Sequence, residues 1–124
     1  MPITPSTNDA DSARALEAMR LLAVRPELSQ RDLSRALGLS LGKAHYVLHA
    51  LLDRGLVKIR NFRRSDNKIA YAYLLTPKGV REKLRLTQRF LALKEAEFES
   101  LQRTIRSLRD ELDGSRHSID QLEP

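Results

Sequence analysis

The chain has 124 residues, no cysteine, only 5% aromatic residues and a formal net charge of +6. That length suits one compact domain, or a small domain with an appended helix. The missing cysteines exclude a disulfide framework, a thiolate metal site and thiol redox sensing, and they fit a reducing compartment.

No apolar run is long enough to cross a bilayer, and the N-terminal MPITPSTNDADS is not a basic-then-apolar leader. The expectation is a cytoplasmic protein with no membrane partner. The positive charge is local. From Arg25 to Arg81 there are twelve Lys and Arg against four Asp and Glu, a net of +8, and each flank is close to −1. A basic middle segment favours a polyanion, because neutralised phosphates release condensed counterions. The same field could meet an anionic membrane or only aid solubility.

Residues 1–10 hold Pro2, Pro5 and small polar side chains and read as a flexible arm. A first helix is predicted from Asp11 or Ser12 to Val24, burying Leu16, Met19, Leu22 and Ala23. Pro26 marks its stop, since the residue before proline disfavours helical geometry. A second helix starts at SQRD, where Ser29 is the cap and Asp32 completes a capping box. Its apolar face is Leu33, Ala36 and Leu37, and Gly38 ends it.

Only Gly38 and Leu39 separate that end from Ser40, the cap of a third helix running to Gly55. So short a turn makes a helix–turn–helix. The third helix, SLGKAHYVLHALLDRG, buries Ala44, Val47, Leu48, Leu51 and Leu52 at helical spacing. Its other face shows Gly42, Lys43, His45, Tyr46, His49 and Asp53. Such a face can grip phosphates and read base edges, so Ser40, Gly42, Lys43, His45, Tyr46 and His49 are candidate contacts. Ser29, Gln30 and Arg31 stand at a helix N-terminus, where amides and dipole favour a phosphate. Each feature has a plainer reading: solvated polar face, or simple capping.

After Gly55 the period becomes alternating. Leu56–Phe62 is a strand candidate, with Val57 and Ile59 pointing one way and Lys58 and Arg60 the other. RRSDNK, from Arg63 to Lys68, is a turn cluster. Ile69–Leu75 is a second strand with Tyr71 and Tyr73 on one face. A hairpin directly after a recognition helix makes a wing, and Arg60, Arg63, Arg64 and Lys68 are its candidate DNA contacts. The plainer reading is a charged tip that blocks edge pairing.

Thr76 and Pro77 open a last helix that meets no further proline and runs about 36 residues to Leu112, on the order of 54 Å. Leu84, Leu91, Phe98, Ile105 and Leu112 lie seven apart, and Thr87, Lys94, Leu101 and Leu108 form a second series offset by three. These are the a and d positions of a heptad. Leu84, Leu91, Phe98, Leu101, Ile105, Leu108 and Leu112 are the candidate dimerisation residues, and a second copy is the simplest partner. Asp113, Gly114 and Ser115 are expected to break or loosen the helix, although Ile119 and Leu122 keep its phase.

The fold class is therefore mainly α with a small β-hairpin: a winged helix-turn-helix over residues 11–76, a coiled-coil dimerisation helix over 77–113 and a frayed tail over 114–124. No Gly-rich phosphate loop, nucleophile elbow or acid pair is evident, so neither an enzyme nor a cofactor is expected. His45 and His49 have a metal-compatible spacing but lack the intervening Glu and a third ligand near in sequence, and no metal site is assigned.

The segments PELSQRDLSRALGLSLGKAHYVLHALLDRGLVKI and YAYLLTPKG resemble MarR-type (multiple-antibiotic-resistance) winged-helix regulators. More closely, LSLGKAHYVLHALLDRGLVK, NFRRSDNKIAYAYLLTPKG and TQRFL resemble the short branch of that family associated with exopolysaccharide gene clusters. The resemblance implies a bacterial, homodimeric DNA-binding transcription factor. By position it implies recognition contacts at Gly42, Lys43, His45, Tyr46 and His49, and wing contacts at Arg63 and Arg64. Larger relatives build their dimer from several helices, often with a crevice for phenolic ligands. One long helix replaces that set here, so no small-molecule effector is assigned.

The expected function is a homodimer binding an inverted-repeat operator in double-stranded DNA, with recognition helices about 34 Å apart and polysaccharide-related genes under its control. A winged-helix protein-interaction module with a coiled-coil partner, and a binder of structured RNA, are the rival readings.

Overall fold

The computed structural model describes residues 7–122. The elements follow in the order α1 (Thr7–Val24), α2 (Gln30–Leu37), α3 (Leu41–Asp53), β1 (Val57–Arg63), β2 (Ile69–Leu75) and α4 (Pro77–Leu122). Of the described residues, 7–90 make one compact unit and 91–122, the rest of α4, belong to another.

The first unit is organised around Met19 and Leu22 of α1, Leu33 of α2, Leu48 and Leu51 of α3, Leu56 and Leu86, all with relative exposure below 2% or at 2%. Fully burying a side chain of this kind contributes about 1.5–3 kcal/mol. The α1 stripe is Leu16, Ala18, Met19 and Leu22, whereas the expected Ala23 is exposed. In α2 the expected Ala36 is also exposed, leaving Leu33 buried and Leu37 half-buried. A methyl group gains little from burial, so alanines at the edge of a stripe are the positions that packing decides. In α3, Ala44, Val47, Leu48 and Leu51 are buried and Leu52 is partly so, as its periodicity predicts.

The caps are local and form as expected. Ser29 Oγ accepts from the Asp32 amide at 3.1 Å while the Asp32 carboxylate accepts from the Ser29 amide at 3.4 Å, closing the capping box. Gly38 (φ 65°) and Gly55 (φ 69°) take the left-handed conformation that terminates α2 and follows α3.

β1 and β2 pair antiparallel, from Val57 opposite Leu75 to Arg63 opposite Ile69. Alternation puts Val57, Ile59, Tyr71 and Tyr73 on one sheet face. Only its base is covered: Val57 and Tyr73 are buried, while Ile59, Ile69 and Tyr71 are 49%, 63% and 53% exposed. The Tyr73 amide donates to Pro26 O at 2.9 Å, tying the hairpin to the α1–α2 turn.

α4 enters through a compact joint. The Thr76 hydroxyl donates to Gly55 O at 2.6 Å and accepts from the Gly79 amide at 3.0 Å. A Cβ on Gly79 would lie 1.9 Å from Leu56 O, so only glycine lets the helix approach that carbonyl. Leu86 and half-buried Phe90 attach α4 to this core, and Leu84, expected on the seam, is 59% exposed.

Two helix bounds differ from the sequence reading. α1 begins at Thr7, so residues 7–10 of the expected arm are helical, and residues 1–6 lie outside the described residues. α4 does not stop at Asp113-Gly114-Ser115 but continues to Leu122, so residues 114–122 of the expected frayed tail are helical. One glycine in a helix interior costs about 1 kcal/mol, which neighbouring helix-formers and an unbroken heptad phase can offset. Residues 123–124 lie outside the described residues.

Candidate nucleic-acid interface

Ser40 caps α3 by accepting from the Lys43 amide at 3.1 Å, which satisfies one of the free amides of its first turn. Gly42, Lys43, His45, Tyr46 and His49 are all exposed, as is Ser40. The structure divides this face between two flanks. His45 turns toward α2, where its Nδ1 lies 3.1 Å from Gln30 Oε1, and its ring centroid is 4.0 Å from that of His49. Tyr46, 62% exposed, turns the other way. It lines a cavity of about 230 Å³ with Asp11, Ser12 and Ala15 of α1 and Arg54, Glu82 and Arg85. Helical spacing put Tyr46 beside the histidines, but it shares this cavity with Asp11 of α1, Arg54 at the end of α3, and Glu82 and Arg85 of α4.

The start of α2 stands beside α3 through that Gln30–His45 contact. Ser29 and Arg31 are exposed, and Ser29 Oγ is already an acceptor within its capping box. Its hydroxyl proton remains available to a phosphate. Across from Ser29 and Gln30, a cleft of about 750 Å³ is closed by Phe62, Arg64, Tyr71 and Tyr73 of the hairpin. The α2 N-terminus and the wing thus flank one groove, which also carries the carboxylates of Glu27 and Asp32.

The wing tip is held by its own side chains. Arg63 donates to Asn67 Oδ1 at 3.0 Å, Arg64 Nε lies 3.8 Å from Asp66 Oδ1, and the Lys68 amide donates to Asp66 Oδ1 at 3.1 Å. Asn67 takes φ 65°, which Asn tolerates better than most side chains. Arg63, Arg64 and Lys68 gather at this exposed tip. Arg60 is exposed too, but by strand alternation it lies on the opposite sheet face from Arg63.

Two features were not assigned from sequence. Leu41, in the first turn of α3, is 48% exposed on the outward side, where an apolar side chain can meet a thymine methyl. Gln30 acts as a clamp on His45 rather than only as a helix-terminal donor. No spacing rule relates positions 30 and 45; their meeting depends on the angle between α2 and α3.

The fold shifts the titration of Glu82. Hydrogen bonds from Arg85 lower its pKa from the ordinary 4.5, partial burial opposes them, and the charges of Arg85, Arg54 and Lys78 lower it further. Arg85 Nε donates to the two carboxylate oxygens at 3.2 and 3.1 Å, and Arg54 stands 3.7 Å away. Among the described residues no three His, Asp or Glu side chains gather in a way that could hold a metal ion. No helix among them is long and apolar enough to cross a membrane.

Residues 13–59 match the IclR helix-turn-helix domain. No protein of curated function matches the sequence. Among solved structures, the chain is similar to the PcaV transcriptional regulator from Streptomyces coelicolor, with 20% identity, a TM-score of 0.62, and coverage of 88% of this chain and 79% of that one. It is similar to a PadR-like transcriptional regulator from Bacillus cereus, with 16% identity, a TM-score of 0.68, and coverage of 77% and 98%. It is also similar to a MarR-family protein from Mycobacterium tuberculosis in complex with p-aminosalicylic acid, with 20% identity, a TM-score of 0.56, and coverage of 81% and 77%. A helix-turn-helix, an antiparallel hairpin and a long C-terminal helix in this order give the chain the winged-helix fold of MarR- and PadR-type regulators.

Proposed function

We propose that this chain is a sequence-specific, double-stranded DNA-binding transcriptional regulator that acts as a homodimer on an inverted repeat and catalyses no reaction. One observation carries the reading. The capped N-terminal half of α3 presents Gly42, Lys43, His45 and His49 to solvent beside the start of α2, and that start faces the basic hairpin across one cleft. A major groove about 12 Å wide admits such a helix. Lys43, Arg31, Arg60, Arg63, Arg64 and Lys68 take phosphates, with Ser29, Gln30 and Ser40 adding neutral hydrogen bonds. His45 and His49 read base edges, and Tyr46, on the flank toward α1, reads at the margin of that face.

The match to a helix-turn-helix domain and the likeness to winged-helix regulators support this reading. The exposed stripe of Leu91, Phe98, Leu101, Ile105, Leu108 and Leu112 supports a second copy as the partner of α4. Polysaccharide-related target genes follow from the sequence resemblance alone.

A second reading, a winged-helix module that holds another protein, is favoured by the apolar hairpin face of Ile59, Ile69 and Tyr71, which lacks cover. Genomic-fragment selection with the purified protein separates the two. DNA binding predicts an enriched inverted repeat with half-sites spaced by whole helical turns. No enrichment over random fragments puts the protein-interaction reading ahead. Titration with duplex RNA completes the test, since the deep, narrow major groove of A-form RNA excludes α3.

A further inference from the structure

We propose that α4 from Leu91 onward pairs antiparallel with a second copy of itself, setting Leu101 against the partner's Leu112 and Ile105 against the partner's Leu108. The inference rests on the homodimer reading and deepens it by fixing direction and register. It depends on the continuation of α4 through Gly114 to Leu122, because that segment adds Ile119 and Leu122 to the stripe and Arg116 to its border. Along this stripe exposure runs from 41% at Ile105 to 82% at Leu122.

Two polar residues interrupt the stripe, Lys94 and Ser115. A parallel, in-register pair stacks each on its own copy, and the two Lys94 ammonium groups then share one seam layer. Like charges in a partly desolvated layer repel, and each would be left to the single carboxylate of Glu97, 3.2 Å from Lys94 Nζ. In the antiparallel register Lys94 lies against the partner's Ile119 and Ser115 against its Phe98, so each interruption meets an apolar side chain. The two lysines then stand about 37 Å apart along the axis.

The flanking charges choose among antiparallel registers. In the proposed one, Glu95 faces the partner's Arg116 twice by symmetry, and Glu97, Gln102, Thr104, Arg109 and Glu111 meet no like charge. Sliding by one heptad to lengthen the overlap brings Glu97 onto the partner's Glu111. Sliding the other way sets Arg109 and Glu111 each against its own copy. A parallel pair also gains one attraction, Glu111 with the partner's Arg116, so the Lys94 layer decides the direction.

The native chain has no cysteine, which makes the test clean. The double variant Leu101→Cys/Leu112→Cys is purified, oxidised and digested with trypsin. Cleavage after Lys94, Arg103, Arg109 and Arg116 puts the two cysteines on different peptides, 95–103 and 110–116. One helix cannot bridge them internally, because they are about 16 Å apart along its axis and a disulfide needs Cα atoms within about 7 Å.

Antiparallel pairing predicts unlike peptides joined in excess over like pairs by on the order of tenfold. Joined like pairs would mean parallel helices, overturning the proposal while the homodimer stands. A dimer that forms no disulfide would place the seam elsewhere and overturn it too. A monomeric mass for the unmodified protein by light scattering would remove the homodimer and this pairing together.

Discussion

Helix α3 and the part of α4 beyond Leu91 carry the same kind of apolar stripe, and they end in opposite conditions. Ala44, Val47, Leu48 and Leu51 of α3 are 7% exposed or less, covered by α1, β1 and the rest of the small core. Leu101, Leu108 and Leu112 of α4 are 57%, 59% and 51% exposed. The residue types and spacing hardly differ; what differs is whether the same chain supplies a surface to meet them. A stripe buried within the chain stabilises it at any concentration. One that needs another molecule contributes by mass action, so its worth rises with protein concentration.

The largest effect that could break this comparison is at the exposed stripe. Ile105→Lys with Leu108→Lys puts four ammonium groups into the proposed seam of a pair. The expected outcome is complete conversion to monomer on sizing with light scattering, with the helical signal of the winged unit retained. A persistent dimer would locate the contact on another face.

Next in size is the contrast between one leucine from each stripe. Leu48→Ala opens a cavity at a site with 0% exposure and should cost about 2–5 kcal/mol in denaturant unfolding, independent of protein concentration. Leu101→Ala should cost the isolated chain little and appear as a loss that depends on concentration. If both losses scaled with concentration alike, the winged unit would not be stable by itself and the distinction would collapse.

The same contrast explains what could be read from the residues alone. Capping at Ser29 and Ser40, the left-handed glycines at 38 and 55, and the buried faces of α3 and the strand bases are set by neighbours a few positions apart, so they were legible. So was the heptad of α4, because a seven-residue period needs no partner in order to be seen. The exposed sides of Ala23 and Ala36, the Gln30–His45 clamp and the turn of Tyr46 toward α1 were not legible. Each depends on angles between helices that spacing does not encode. The continuation through Gly114 is hidden from a local reading for another reason: Asp-Gly-Ser is a common turn sequence, and the decisive signal, the phase kept by Ile119 and Leu122, lies beyond it.

At the proposed DNA face, two changes should sharpen the assignment by smaller steps. Lys43→Ala and the pair Arg63→Ala/Arg64→Ala should each weaken binding and lower the dependence of log affinity on log salt, by about 0.9 for each phosphate no longer neutralised. The wing arginines leave Asn67 and Asp66 to reach a phosphate, whereas exposed Lys43 has no such side-chain bond to break among the described residues. The wing pair should therefore lose less affinity per charge removed than Lys43. Salt slopes unchanged in both variants would remove these residues from the interface.

The smallest effect expected is at Glu82, the carboxylate held by Arg85 and Arg54 in the winged unit. Its pKa is lowered by hydrogen bonds from Arg85, against partial burial and with help from the neighbouring positive charges. The folded chain thus binds this proton less readily than the unfolded chain does. The resulting stabilisation is present above the ordinary value of 4.5 and is lost as pH falls through the lower folded value. Glu82→Gln should lower stability at neutral pH, and the gap to the native protein should close as the solution is acidified below the ordinary carboxylate value of 4.5. The matching change on the exposed stripe, Glu97→Gln, removes a pair with Lys94 whose side chains are 71% and 42% exposed, and such surface pairs contribute about 0–1 kcal/mol. Denaturant midpoints followed across pH would show a closing gap for Glu82→Gln if charge is responsible. A gap that stayed constant into acid would mean that Glu82 acts through packing of its aliphatic stem beside Arg54 and Arg85.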